Sequence, residues 1–450
     1  MTDIEPRVDQ PSELPHLLYV AWGYPPSRGA GMYRALATAN AFARNGWRVT
    51  VLTATKDTYE RLTGSDPAAE ASIDPSISVV RVPFDPARGE GDLSKWSRSR
   101  LFSPLLWNFL RWVRARTIFP ETVYASWMPI LVNAADAIHS EQPTSLVIGS
   151  ANPNVDFMPG DHLHRTHGVP YVMDHRDAWH LDVYTGKRTA STKSRSGKLE
   201  KRLISNAAEA WFVNAPIRDW HAAEYPERAE HYHVVANGFD PDFLDTTRDR
   251  LPNSHEGVVF GYLGTIYGPI PLRKTLEGWR LARSRSELLA RSRIVFRGRL
   301  GHFAEPDAAA AELLDEFADD GVSYGGPVSK TEVAEVYRGF DAVLLIISRS
   351  KFVTSGKVFE YAATGLPIVA LHHPETAATS ILEGHPARYA VPNLSAESIA
   401  AAFIAAGEKA ASMTLDDYAE ARTWAAHLAR DEQLLPRIAA LRALVTGGAQ

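Results

Sequence analysis

Apolar residues fall along this chain in short bursts that alternate with longer helical patterns, and the alternation restarts once. His16 to Trp22 (HLLYVAW) is a compact apolar run, and YPPSRGAG then breaks regular structure. From Met32 the apolar positions Met32, Leu36, Ala39 and Ala43 recur at helical spacing until Asn45-Gly46 ends the helix. Arg48 to Thr53 (RVTVLT) reads as a second strand, so strand, glycine loop, helix and strand form a βαβ unit and imply a parallel sheet. Further strands are expected at Ser78–Val82, Ser145–Gly149, Pro170–Asp174, Glu209–Val213 and Tyr232–Ala236.

After Leu251-Pro252-Asn253-Ser254 the pattern begins again. Val258 to Leu263 (VVFGYL) opens a second array, with strands expected at Arg293–Arg297, Val322–Gly325, Asp341–Ile347 and Pro367–Leu371. The expected fold class is therefore α/β, with two doubly wound Rossmann-like arrays in series. We expect a disordered lead-in at 1–14, a first domain at 15–250, a second at 251–412 and a helical tail at 413–450. The tail carries Trp424, Leu428, Leu434 and Leu435. Facing sheets would bring both sets of strand ends to one cleft, where ligands of open α/β sheets bind.

Composition narrows the classes. An apolar content of 45% and a charged content of 22% are those of an ordinary globular protein. The net charge of −5 argues against a nucleic-acid binder. There is no cysteine, which excludes thiolate chemistry and fits a reducing cytoplasm. The polar, acid-bearing start MTDIEPRVDQPSELP is unlike a signal peptide, and no uncharged apolar run is long enough to span a bilayer. The expected location is cytoplasmic.

Several motifs sit where strands end. Gly29-Ala30-Gly31 follows the first strand, but Arg34 stands where a dinucleotide fingerprint needs its third glycine, so NAD is not the expected ligand. PYVMDHRDAW (170–179) gathers Asp174, His175, Arg176 and Asp177 at the end of one strand, a density of ionisable groups typical of functional sites. An Arg176–Asp177 ion pair stapling strand to loop, with Trp179 as core, is the plainer account. Val353 to Leu371 (VTSGKVFEYAATGLPIVAL) places Glu360 inside an apolar helix behind a Ser355-Gly356-Lys357 entry. Amides at such a helix start suit a phosphate, and a carboxylate one turn further in suits sugar hydroxyls.

The last stretch resembles the nucleotide-sugar pocket of retaining GT-B glycosyltransferases, in particular the family 4-like sugar and polysaccharide transferases. Other motifs resemble that family in the same order: PPSRGAGMYR for PPxxGGxxxR, DHRDAW for D-x-R-D-x-W, Asn237-Gly238-Phe239-Asp240 for N-G-x-D, and Tyr262-Leu263-Gly264-Thr265 for Y-x-G-T/R. Two departures stand out. Phe352 replaces the first acid of the Glu-x₇-Glu pair, and Asn152 and Asn154 stand where many members have a histidine.

The resemblance implies a GT-B architecture with a C-terminal helix crossing back to the first domain. It implies transfer of a sugar from a nucleotide-diphosphate sugar to an acceptor hydroxyl with retention, in glycan, glycolipid or glycosylated-metabolite biosynthesis. Donor residues would be Gly264, Thr265, Arg297, Ser355, Gly356, Lys357 and Glu360. The acceptor and phosphate loop would use Gly29, Gly31 and Arg34, and the catalytic edge Asp174, His175, Arg176 and Asp177. Arg273, Lys274 and Arg299 are further phosphate partners to consider. No cofactor beyond the donor and no required divalent metal is implied, since no aspartate pair has ligand spacing. An epimerase of the same architecture and a non-catalytic nucleotide-sugar-binding scaffold remain alternatives.

One segment fits none of this. Lys95, Arg98, Arg100, Arg111, Arg114 and Arg116 are interleaved with Trp96, Phe102, Leu105, Leu106, Trp107, Phe109, Leu110 and Trp112, without one acid. Residues 95–116 suit a peripheral helix on the inner face of an anionic membrane, a site for a phosphorylated soluble acceptor, or a core-packed helix with a wet cationic face.

Overall fold

The computed structural model describes residues 3–4, 14–29, 31–84, 94, 96–241, 257–266, 270–301, 307–328, 332–348 and 350–447. Ala30, Lys95, most of the 1–14 lead-in and the 251–256 boundary segment therefore lie outside the described residues.

The first sheet contains β1 (Asp3–Ile4), β2 (His16–Ala21), β3 (Arg48–Ala54), β4 (Ser78–Val82), β5 (Leu146–Ala151), β6 (Tyr171–His175), β7 (Glu209–Phe212) and β8 (Tyr232–Val234). Its order is β1-β4-β3-β2-β5-β6-β7-β8. All neighbours are parallel except β1, which pairs antiparallel with β4 through Asp3↔Arg81 and Ile4↔Val80. Asp3 and Ile4 of the expected lead-in thus form an edge strand, while residues 5–13 lie outside the described residues. A two-residue edge strand has no periodicity to detect.

The second sheet contains β9 (Val259–Leu263), β10 (Arg293–Arg297), β11 (Val322–Tyr324), β12 (Ala342–Ile346), β13 (Ile368–Leu371) and β14 (Arg388–Ala390). Its order is β11-β10-β9-β12-β13-β14, parallel throughout. β14 was not expected from sequence, because Arg-Tyr-Ala is too short and too polar to read as a strand. In each sheet the order reverses once, between β2 and β5 and between β9 and β12. Ligands of doubly wound sheets bind beyond the carboxyl ends of strands at such a switch point.

Two compact units result: Met1–Asp182 with Lys187–Ala236 and Leu434–Gln450, and Val183–Gly186 with Asn237–Gln433. The first core packs Leu17, Tyr19, Phe42, Trp47 and Trp211 against Leu434, Ile438 and Leu441 of the last helix, Arg430–Gly447. Arg437 strengthens that docking by donating to Glu209 at 3.2 Å. The second core centres on Phe260, Trp279 and Phe403. Here Gly278 lets the helix Leu272–Arg285 approach its neighbour, since a Cβ at that position would lie 2.3 Å from Ile399 Cγ2. The tail divides differently from the expected 413–450 block. The helix Leu415–Ala425 packs beside Lys357–Thr364 in the second unit, and only from Leu434 does the chain rejoin the first.

Candidate functional site

In the second unit the switch point gathers the loop after β9 and the helix Lys357–Thr364, which follows β12. Gly264 has a φ of 139°, a region open to glycine. It packs on Gly298 of the neighbouring loop so tightly that a Cβ at Gly298 would lie 2.2 Å from the Gly264 carbonyl oxygen. The helix is pinned over this loop. The Tyr361 hydroxyl accepts from the Leu263 N–H at 3.0 Å and donates to the Leu263 carbonyl at 3.3 Å. One turn earlier, the Lys357 ammonium donates to the Tyr262 hydroxyl at 2.6 Å, and that hydroxyl donates to the Thr265 carbonyl at 3.0 Å. Lys357 thus lies directly over Gly264, where an added Cβ would meet its Cε at 2.0 Å. Burial lowers the Lys357 pKa to about 8, with Glu360 opposing the shift.

Glu360 is oriented by Tyr337, whose hydroxyl donates to Oε2 at 3.0 Å. Ser355 Oγ accepts from the Lys357 N–H at 3.4 Å, and Gly356 stands exposed at the helix start. At the end of β10, Arg297 crosses over Gly325, and its buried Nε has no hydrogen-bond partner among the described residues. The expected donor residues Gly264, Thr265, Ser355, Gly356, Lys357 and Glu360 therefore share one switch point, with Arg297 on the next strand. Three further phosphate partners do not join them. Arg273 is held by Glu316 through two 3.0 Å hydrogen bonds on the surface, while Lys274 and Arg299 are solvent-exposed. Phe352, at the position of the missing first acid, is buried and reaches Gly186.

In the first unit the expected catalytic cluster is split. Asp174 is fully buried and takes a bidentate pair from Arg34, with Nε at 2.9 Å from Oδ2 and Nη2 at 2.6 Å from Oδ1. The same guanidinium donates to the Val235 carbonyl at 3.0 Å. Arg34 thus ties helix, sheet and the chain leaving β8 together. His175 is also sealed off, stacked on Phe212 with ring centroids 5.2 Å apart, and neither ring nitrogen has a hydrogen-bond partner among the described residues. Neither Asp174 nor His175 is presented at the surface.

Arg176 and Asp177 do reach the rim, paired at 3.3 Å. Asp177 also accepts from Asn152 at 3.2 Å. Arg176 overlies Gly31, where a Cβ would lie 2.1 Å from Nη1, so the glycine loop makes room for this arginine. Gly29 serves the turn, its N–H donating to Ser27 Oγ at 3.2 Å. Sequence reasoning missed two acids nearby. Glu121 accepts from Asn154 Nδ2 at 2.6 Å, and the buried Asp156 accepts from the Trp22 N–H at 2.7 Å. Burial raises the pKa of both, most strongly for Asp156. No spacing links residues so far apart in the chain.

The sealed imidazole gives a pH test. Burial lowers the His175 pKa to about 3 from an unfolded value of 6.5. Below the unfolded value the unfolded chain binds a proton that the folded chain refuses, so stability falls as pH drops through that window. At about pH 4.5 the loss from this one group is about 2–3 kcal/mol. His175→Phe is expected to flatten the fall of melting temperature between about pH 7 and 4.5, the window set by the unfolded histidine. An unchanged acid slope would refute the account.

Residues 29–238 match the family model described as a glycosyl transferase 4-like domain. No curated protein matches the chain by sequence. Among solved structures the chain is similar to sucrose-phosphate synthase from Thermosynechococcus elongatus, at 16% identity over 96% of this chain and 98% of that one, with a TM-score of 0.53. A glycosyltransferase from Rickettsia africae is similar at 10% identity over 97% and 100%, with a TM-score of 0.61. HepE from Anabaena, solved with UDP and glucose, is similar at 13% identity over 96% and 99%, with a TM-score of 0.54. At such identities the likeness carries the fold, which is GT-B. Within the matched residues lie Arg34, Asp174–Asp177 and the Gly31 loop. The helix Lys357–Thr364 lies beyond them, in the second unit.

Proposed function

We propose that the chain transfers a sugar from a nucleotide-diphosphate sugar to an acceptor hydroxyl, with retention of the anomeric configuration. The observation that carries this reading is the helix start at Ser355–Lys357, pinned over Gly264 with Glu360 one turn in. Glu360 would accept hydrogen bonds from ribose hydroxyls. The diphosphate would meet Lys357, Arg297 and the amides around Gly264, Thr265, Ser355 and Gly356. These cations answer the leaving-group charge, so the reading takes no divalent metal as a partner. The acceptor falls to the first unit, at the rim formed by Gly29, Gly31, Arg176 and Asp177.

The chemistry follows from that arrangement. The bond from the anomeric carbon to the diphosphate breaks, the acceptor oxygen bonds on the same face, and the leaving phosphate oxygen takes the acceptor proton. Catalysis is then positioning plus stabilisation of the departing charge. Glycan, glycolipid or glycosylated-metabolite biosynthesis is the setting we assign.

Thermal melts with a panel of nucleoside diphosphates and their sugars test the donor half. Selective binding to the folded state stabilises by about 2.7 kcal/mol at about one hundred times Kd. One nucleotide is expected to raise the melting temperature, and Glu360→Ala to abolish most of that rise. If no nucleotide stabilises the chain, the transferase reading fails. Stabilisation without sugar transfer to any acceptor would favour a binding protein instead, consistent with Phe352 at the missing acid position.

A further inference from the structure

The helix Pro104–Ile118 and the short helix Arg98–Phe102 before it stand out in the first unit. In an ordinary surface helix the apolar stripe faces the core. Here large apolar residues also lie on the side away from the core. Trp107, Arg111, Ala115 and Ile118, spaced three or four residues apart, are the half-buried positions, and no residue of Pro104–Ile118 is fully buried. The outward face is apolar: Phe102 is 94% exposed and Leu105 85%, and Leu106, Phe109, Leu110 and Trp112 join them. The helix is fixed in this orientation at its end, where Arg195 donates to the carbonyls of Arg116 and Thr117.

Charge accompanies the apolar face. Arg98, Arg114 and Arg116 are exposed, and no acid occurs from Leu93 to Pro120. Arg116 lies over the Trp112 ring at 5.1 Å, so a cation and an amphipathic aromatic are presented together. A broad exposed apolar patch marks an interaction surface. Aromatic and leucine side chains bordered by arginines match one occupant above others, a bilayer with anionic headgroups. Among the described residues no helix is long and apolar enough to cross a membrane, so the contact would be interfacial.

We propose that Arg98–Ile118 docks the first unit onto an anionic lipid surface, with Phe102, Leu105 and Phe109 entering the acyl boundary and Arg98, Arg114 and Arg116 meeting the headgroups. This goes beyond the transfer reaction and uses no residue of the donor site. It would bring the chain to an acceptor held in a membrane.

Sedimentation of the full chain with phosphatidylcholine vesicles, with and without phosphatidylglycerol, tests it in the absence of nucleotide. The chain is expected to partition at least about tenfold more strongly onto the anionic vesicles, with the preference weakened by salt. Leu105→Ser/Phe109→Ser is expected to lower partitioning by at least about tenfold, and Arg114→Glu/Arg116→Glu to remove the preference for anionic lipid. All four side chains are exposed, and circular dichroism confirms that each variant folds. Absence of vesicle binding, or undiminished binding by the Leu105/Phe109 variant, overturns the proposal. Self-association through this face, seen by sedimentation velocity and lost in that variant while vesicles stay unbound, overturns it too. Since no nucleotide is present, these outcomes are independent of the donor assignment.

Discussion

Replacing Lys357 by methionine is expected to lower kcat/KM for the sugar donor by about 10²–10³-fold, while leaving the melting temperature of the free chain nearly unchanged. Methionine keeps most of the length that packs over Gly264 and removes the cation. A preorganised charge aimed at a departing phosphate contributes on this scale, because it acts where water is excluded. The lowered pKa of about 8 adds a signature that a merely structural lysine would lack. A bound diphosphate stabilises the charged ammonium and so raises its pKa in the complex. Binding then takes up a proton wherever the free lysine is neutral. Nucleotide affinity should therefore be level below about pH 8 and fall up to about tenfold per unit above it. Lys357→Met should bind more weakly and lose this dependence. Dissociation constants measured by calorimetry from neutral to alkaline pH decide the matter. Parallel profiles in the two proteins would show that Lys357 does not face the phosphate.

What the sequence revealed and concealed follows a physical division. Strands of both sheets were legible because a buried parallel strand must be a continuous apolar run, and VVFGYL or RVTVLT can hardly be anything else. The restart after residue 251 signalled two arrays for the same reason. The donor helix was legible because polar entry, apolar body and Gly365-Leu366-Pro367 exit occur within one local stretch. Its partners were not. Tyr337 lies 23 residues from the Glu360 it orients, and Tyr361 lies 98 from the Leu263 backbone that it clamps. Such pairings are set by the order of strands in the sheet, which a single chain does not spell out.

The first unit shows the opposite case. Density of ionisable groups in DHRDAW pointed to one catalytic edge, yet β6 is buried on both faces and ends at His175, which divides them between different environments. Asp174 and His175 turn inward to an arginine and to aromatic rings, while Arg176 and Asp177 turn outward. Arg34 belonged to the same story, but its partner stands 140 residues away. A motif that looked like one site is half structural tie and half surface.

That tie makes the second strong prediction. Asp174→Ala should destabilise the first unit by about 3–5 kcal/mol, enough to leave little soluble protein, because it strands a buried guanidinium without its counter-ion. Arg34→Met should cost a similar amount by stranding the carboxylate. If the pair is structural, the double change Arg34→Met/Asp174→Leu should recover much of the loss, since a buried ion pair replaced by apolar groups of similar volume is often near neutral. Recovery will be incomplete, as the Val235 carbonyl loses its donor as well. Chemical denaturation of the double variant beside its own single variants, Arg34→Met and Asp174→Leu, reads the coupling directly. Activity then separates the two roles that Asp174 could have. A folded double variant that still transfers sugar places the carboxylate in the scaffold, as its complete burial indicates. A folded double variant with nucleotide binding intact and transfer abolished would return Asp174 to the chemistry.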